Sequence, residues 1–413
     1  MGSVHFKMAW RNIWRNRRRS VLTICAIAFA CALLVFMLSF QFGTYEAMIN
    51  TAVRVHTGYF QVQAADYQEK QEIRLVVPDP DAVGRVLDRI ANVRAYTFRA
   101  VAFSLASSKE RTYGISVTGI DPEREATVSS LKSLVRQGEY LSARDEHQAL
   151  VGALLARNLR VGIGDTVTLL GQGRDGSVAA SVVTVRGIFS SGQDAFDRSS
   201  IHIPLSAFQE IYFMRGAVHQ VVGVTPTLWD VPGVIREAEA GLKGLNSPKP
   251  LAVPDWRALM PGLAQGIYMD LISGLIFYLL LIIVVAFSIL NTFLMAIFER
   301  TREFGVMMAM GTTTGRLTRL LLTESLLMTM MGIVCGVVLG SLVTLWFQAH
   351  GIDFGEASEI LRQYGISGRM YPRLSIISAS VGPALVFFIT FWTALYPALR
   401  VRRLRPVEAM SYV

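Results

Sequence analysis

Residues 271–298 read LISGLIFYLLLIIVVAFSILNTFLMAIF, without one charged side chain. The hydrocarbon core of a bilayer takes roughly 20 apolar residues of helix to cross, so this stretch predicts a membrane span. Three further runs outward from it have the same character, at 20–42, 317–347 and 374–397. The expected fold is therefore membrane α-helical, with four transmembrane helices. The chain has 413 residues, 52% of them hydrophobic and only 17% charged, and the apolar excess is gathered in these runs. The run at 20–42 is too long for a signal-peptide core and lacks a small-residue cleavage site after it, so it reads as a retained anchor.

The flanks orient the spans. Arg11, Arg15 and Arg17 to Arg19 precede the first span. Arg300, Arg302, Arg316 and Arg319 stand between the second and third, and Arg400, Arg402, Arg403 and Arg405 follow the fourth. By the positive-inside rule these segments face the cytoplasm, which puts both termini inside. The region 43–270 and the short loop 348–373 are then expected outside. That loop mixes Arg362, Arg369 and Arg373 with Asp353, Glu356 and Glu359. The net charge of +9 follows from this topology, and nucleic acid is not an expected partner. Residues 1–19 read as an amphipathic helix at the membrane surface, with Phe6, Trp10, Ile13 and Trp14 at helical spacing among basic residues. The tail is 398–413.

The large outer region alternates strand-like and helix-like periodicity, an α+β pattern. Strands are expected at 58–63, 113–118, 166–170, 181–186, 200–203 and 220–225, and helices at 81–91, 149–158, 205–211 and 231–243. Residues 131–189 read as a lobe inserted into the rest, giving an extracytoplasmic domain of two lobes between the first and second spans.

Enzyme motifs are missing. Gly171, Gly173 and Gly176 match the dinucleotide spelling, but a strand follows them where a helix is needed, so they read as a hairpin loop. No Walker A sequence occurs, and no catalytic residue or metal-ligand set is recognised. Asp145, Glu146 and His147 read as a solvated loop before a helix. Cys25, Cys31 and Cys335 fall in the apolar runs and read as packing residues.

Within the third span Gly332, Gly336 and Gly340 recur every fourth residue, a ridge that lets helix backbones approach closely, inside the chain or across a dimer. Glu324 shares that span, and an ionisable group there calls for a partner such as Arg316, Arg319 or an arginine of the preceding loop. Pro383, after Gly382, predicts a kink in the fourth span. The segment 299–316 starts charged and turns apolar. Phe304, Met307, Met308 and Met310, expected to be exposed there, suggest a docking surface.

These features together resemble the FtsX-type permeases, the membrane subunits of MacB-superfamily ABC transporters, over essentially the whole chain. The resemblance rests on Ala9-Trp10-Arg11-Asn12, on the Arg302-Glu303-Phe304-Gly305 and Ala309-Met310-Gly311 elements, on Tyr396-Pro397-Ala398 and on Arg405-Pro406-Val407-Glu408-Ala409. In the outer domain, Gly164-Asp165-Thr166-Val167 is shared widely in that superfamily. Gly187-Ile188-Phe189, Phe196-Asp197, Ile203-Pro204-Leu205 and Asp255-Trp256 look most like the lipoprotein-releasing permeases LolC and LolE. A departure is Met308, where Lol coupling helices often carry a basic residue.

The resemblance implies a bacterial inner-membrane permease that is no enzyme by itself. It implies a second permease, the same or a related chain, and two copies of a separate ABC ATPase that bind ATP and magnesium. No cofactor is implied in this chain. Glu299, Arg300, Arg302, Glu303, Phe304, Gly305, Met307, Met308 and Gly311 would form the coupling helix that sits in the ATPase. Motion would pass from it to a periplasmic domain. The spans offer no chain of polar groups to line an aqueous path, so the substrate should be apolar or lipid-anchored and reach the protein from membrane lipid. Phe36, Met37 and Phe40 are candidate contacts for it. Lipoprotein extraction, with a periplasmic carrier as a further partner, is the leading expectation. MacB-like efflux of peptides or amphiphiles and FtsX-like signalling to a cell-wall hydrolase are the alternatives.

Overall fold

The computed structural model describes residues 2–109, 111–245, 247–355 and 369–401. Glu356, Glu359 and Arg362 of the short loop lie outside them, as do Arg402, Arg403 and the 405–409 signature. Among the described residues, four helices are long and apolar enough to cross a membrane: Arg17–Thr57, Pro261–Glu299, Thr314–His350 and Ile376–Tyr396. All but the last outrun the apolar stretches that announced them. Once nucleated, a helix extends through polar residues at little cost per added residue. The fourth continues without a break through Pro383 to Val401.

The chain forms two compact units. The first holds residues up to Glu46, Ile267–Asp353 and the described residues from Arg369 onward. Its core is apolar side chains from the long helices, with Ile27, Leu34, Ile289, Phe293, Met328 and Val386 nearly inaccessible. The N-terminal helix Gly2–Arg15 buries Ala9 and Ile13 completely in this unit. Phe6, Trp10 and Trp14 stay exposed at its flanks while Ile13 is buried, so the face expected at the membrane surface is split between packing and surface.

The second unit, Ala47–Gly266 with Phe354 and Gly355, carries the sheet. Its strands are β1 Phe60–Ala64, β2 Ala95–Ser107, β3 Thr112–Ile120, β4 Val135–Gly138, β5 Gln148–Gly152, β6 Thr166–Gln172, β7 Val178–Phe189, β8 Ser200–Pro204, β9 Gln220–Val224 and β10 Leu251–Ala252. They run in the order β10-β1-β9-β2-β3-β8-β5-β7-β4, with β6 paired to both β2 and β7. β3 with β8 and β5 with β7 are parallel; the other pairings among the described residues are antiparallel. Residues 131–189 supply β4 to β7, in which β7 pairs with β4, β5 and β6. The long β2 pairs with β9 through Ala95–Arg99 and with β6 through Ser104–Ser107, which draws the inserted stretch into one continuous sheet. Val117, Val151, Leu155, Leu169, Ile201 and Phe208 fill the core beneath it.

Aspartates start the short helices. Asp79 accepts from the Ala82 amide ahead of Pro80–Leu87, and Asp121 from the Glu123 and Arg124 amides ahead of Pro122–Val128. In both cases proline takes the first helical position, where its missing N–H costs nothing. Gly173 to Ser177 closes the β6–β7 hairpin, with Gly176 at φ +91°, so the glycine spelling serves a turn. Asp145 departs from the expected solvated loop. It is buried, accepts from the Ser142 amide at 2.7 Å and pairs with Arg186 at 2.9 Å, because the guanidinium offers what water would otherwise supply.

Candidate functional site

Between the second and third long helices the chain turns through a short helix, Thr301–Ala309. Gly311, at φ +92°, ends it, and the Gly311 and Thr312 amides return to the Met308 and Met307 carbonyls. Glycine adopts this left-handed geometry without strain, which makes the tight exit possible. The face at 304 and 308 turns inward. Phe304 is fully buried and Met308 nearly so, packed on Ile297, Leu317 and Leu321, with Met307 partly covered. The expectation that Phe304 and Met308 are exposed is thus corrected: a helix pinned between two spans must bury one stripe. Arg302, Val306 and Met310 point outward, one turn apart, Val306 47% and Met310 74% exposed. This stripe, charged at its head and apolar below, forms part of the segment's accessible surface, with Glu303 and Ala309 exposed beside it.

Arginines hold the segment in place. Arg300 is buried, donates through Nε to Glu303 Oε2 at 3.2 Å and reaches Glu324 Oε2 at 3.3 Å, with its guanidinium 5.4 Å from the Phe304 ring centre. Glu324 therefore finds its partner in the preceding loop. Arg15 meets Glu303 at 2.6 Å and Arg19 meets Glu299 at 2.7 Å. Partial burial alone would raise the Glu303 pKa, but the hydrogen bonds and charges of Arg15 and Arg300 outweigh it and hold the carboxyl below its usual range. Sequence reading missed these two pairs. The signal was there: two arginines four apart facing two glutamates four apart. A cavity of about 40 Å³ adjoins the cluster, lined by Arg19, Thr23, Thr292, Arg300, Glu324 and Ser325 among others, with room for one or two waters.

The glycine ridge lies against the first long helix. A Cβ on Gly332 would stand 2.7 Å from Ile27, on Gly336 2.5 Å from the Ala28 carbonyl oxygen, and on Gly340 2.8 Å from Ala32 Cα. No real side chain fits at such distances, so the ridge brings these two helices of the same chain together. Phe36 and Phe40 stack with ring centres 6.3 Å apart, Phe36 also meets Phe347 at 5.6 Å, and Met37 is exposed.

At the root of the outer domain the first long helix ends in a π-helical turn, Val53–Thr57, stopped by Gly58 at φ +68°. A helix end leaves carbonyls without partners. Here Ser130 donates to the Arg54 carbonyl through its amide at 2.8 Å and its hydroxyl at 3.1 Å. Arg99 donates to the His56 carbonyl, and Gln61 to the Thr57 carbonyl at 2.8 Å. Arg99 is 1% exposed and forks onto Glu125, also 1% exposed, at 2.5 and 2.9 Å. Burial works against the Glu125 carboxylate, yet the charge and hydrogen bonds of Arg99 prevail and hold its pKa down. His202 sits nearby with its pKa pushed down to about 4, chiefly by burial. Sequence gave no hint of this weld, since its members come from β1, β2, a helix and a loop.

Among the described residues no group of His, Cys, Asp and Glu could hold a metal ion. Comparison with known proteins agrees with the two-part architecture. Residues 20–240 match the MacB-like periplasmic core domain and residues 275–406 the FtsX-like permease C-terminal family. The lipoprotein-releasing system transmembrane protein LolC of Xylella fastidiosa is 24% identical, over 95% of this chain and 94% of that protein. The pyoverdine export ATP-binding/permease protein PvdT of Pseudomonas entomophila is 23% identical, over 98% of this chain but 59% of that protein. Among solved structures, the extracellular domain of the ABC-type transporter YknZ from Gram-positive bacteria aligns with 48% of this chain and 99% of its own, at TM-score 0.36 and 16% identity.

Proposed function

Because this chain belongs to the FtsX-like permeases with a MacB-like periplasmic core domain, we propose that it extracts lipoproteins from the inner membrane on behalf of a separate ATPase. The observation that carries the coupling role is the outward stripe Arg302, Val306 and Met310 on a helix locked between two spans. Push that helix and both spans must respond, because Phe304 and Met308 are packed into them. Two copies of the ATPase would each receive such a helix, the arginine meeting acidic groups and the methionine an apolar groove. The permease pairs with a second copy or a related chain. Both termini lie in the cytoplasm and the sheet domain in the periplasm, where a lipoprotein carrier would collect the cargo. Phe36, Met37 and Phe40 would meet acyl chains.

The lipoprotein reading draws on the similarity to LolC along nearly the whole of both chains. Export of a peptide or amphiphile is the second reading, favoured by the match to PvdT across 98% of this chain. ATPase assays of the assembled complex in lipid nanodiscs, with and without an acylated lipoprotein, separate them. Extraction predicts stimulation by the lipoprotein, lost when Arg302→Glu and Glu303→Arg are combined. Assembly that ignores lipoprotein would reject extraction in favour of export, and failure to bind any ATPase would reject the coupling role.

A further inference from the structure

A cleft of about 210 Å³ opens beside the weld in the outer domain. Its charged lining residues are Arg54, on the π-helical turn, and Arg94, which leads into β2. No carboxylate lines it. Neither arginine has a carboxylate within ion-pair distance among the described residues, whereas Arg99, Arg124, Arg186 and Arg257 of the same domain each have one. Both are exposed and both stand on fixed backbone. The Arg54 carbonyl is taken by Ser130, and the Arg94 amide donates to the Val224 carbonyl at 2.9 Å.

Hydroxyls on the walls add little donor capacity. Thr127 donates to the Arg124 carbonyl at 2.7 Å, Ser130 to Arg54 and Thr225 to the Thr227 carbonyl at 2.7 Å. The guanidinium groups are thus the main free donors, and their planar forks match carboxylate oxygens in pairs. Val128, Val224 and Pro226 complete the walls with apolar surface. Bare phosphate would leave that surface unused. The methylene stem of a glutamate and its neighbours in a peptide would cover it.

We infer that this cleft docks an acidic peptide segment of a partner protein, with one carboxylate held between Arg54 and Arg94. Such a ligand would touch the end of the first long helix directly, since Arg54 belongs to its last turn. The inference is independent of which substrate the permease handles.

The test uses the full chain in nanodiscs of neutral phosphatidylcholine. The probe is a fluorescein-labelled heptapeptide alternating glutamate with valine, read by fluorescence anisotropy against the same peptide carrying glutamine. The acidic peptide should bind at least about tenfold more tightly, with the gap narrowing as salt rises. Arg54→Ala with Arg94→Ala should remove the preference, and the lysine pair should keep part of it. Both side chains are exposed, so unchanged thermal melting would show that the variants fold. Equal binding of the two peptides, or full binding by the alanine pair, would overturn the inference. So would displacement of the peptide by inorganic phosphate or anionic lipid at equal concentration, which would assign the cleft to a phosphate group.

Discussion

Two regions of this molecule are built from the same chemistry, arginine against glutamate, and put it to opposite uses. Around the Glu299–Gly311 segment the pairs lie near the surface. The side chains of Arg15 and Glu303 are 52% and 48% exposed, those of Arg19 and Glu299 23% and 51%. At the root of the sheet Arg99 and Glu125 are exposed by 1% and 2%. Water screens the first set, so each pair can be broken and remade at small cost. Nothing screens the second, and losing one partner strands a charge. The first set leaves its segment free to re-pair; the second fixes a helix end to the sheet.

The strongest way to break the contrast is Glu125→Gln. It leaves Arg99 buried without a counter-charge, and should cost about 3–5 kcal/mol, or some 10 °C in the melting temperature of a domain this size. Thermal denaturation of the full chain in detergent would measure it. Replacing both partners, Arg99→Met with Glu125→Leu, should recover most of that stability. If the single and double variants melt alike, the pair is no weld. Acid should probe the same place. Burial pushes the His202 pKa from 6.5 down to about 4, so its contribution is whole above pH 6.5 and drains away as pH falls towards 4. Glu125, with its folded pKa lowered, adds stability above the ordinary carboxylate range that is lost at still lower pH. His202→Phe should therefore make the limb between pH 6.5 and 4 shallower, leaving the share that the buried His56 and His219, whose pKa values burial also lowers, contribute over the same range.

How far these regions were legible in the sequence follows from the range of the interactions. The glycine ridge announces itself because its period matches the helix that carries it. The outward stripe of the coupling segment was only half readable. Phe304 and Met308 invite attention as large apolar residues, but which stripe faces out depends on Ile297, Leu317 and Leu321. β5 begins where the spacing predicts a helix over 149–158: its residues 149–152 are all buried, and a strand covered on both faces shows no alternation in sequence. β2 escaped notice for a related reason. Phe103 and Leu105 stand exposed on its open face while Ala100, Ala102 and Ala106 fill the buried one, so apolar residues occupy both sides. Arg99 and Glu125 are 26 residues apart on a strand and a helix, and no local pattern connects them.

Arg300 and Glu324 lie between the two extremes, with side chains 10% and 13% exposed. Arg300→Gln would leave Glu324 half-satisfied and should cost about 1–3 kcal/mol in the same melting assay. It should also reduce the ATPase response of an assembled complex more than it reduces assembly, because the outward stripe would be intact while its tie to the third span is loosened. A loss of assembly equal to the loss of response would mean that Arg300 serves folding alone.

The smallest effect sharpens the comparison most. Arg15→Ala and Arg19→Ala each remove a surface pair, and each should cost no more than about 1 kcal/mol. Melting would barely register them. Salt should distinguish them. In the wild type, raising ionic strength to about 0.5 M shortens the screening length to a few ångströms and should mimic the double variant. The buried pair at the root of the sheet should ignore the same change. If the double variant melts as the wild type does and still alters the ATPase response, the surface pairs govern position and not stability, as a segment that must move requires. If it melts several degrees lower and salt does nothing, the N-terminal helix is welded as firmly as the sheet, and the contrast between the two regions fails.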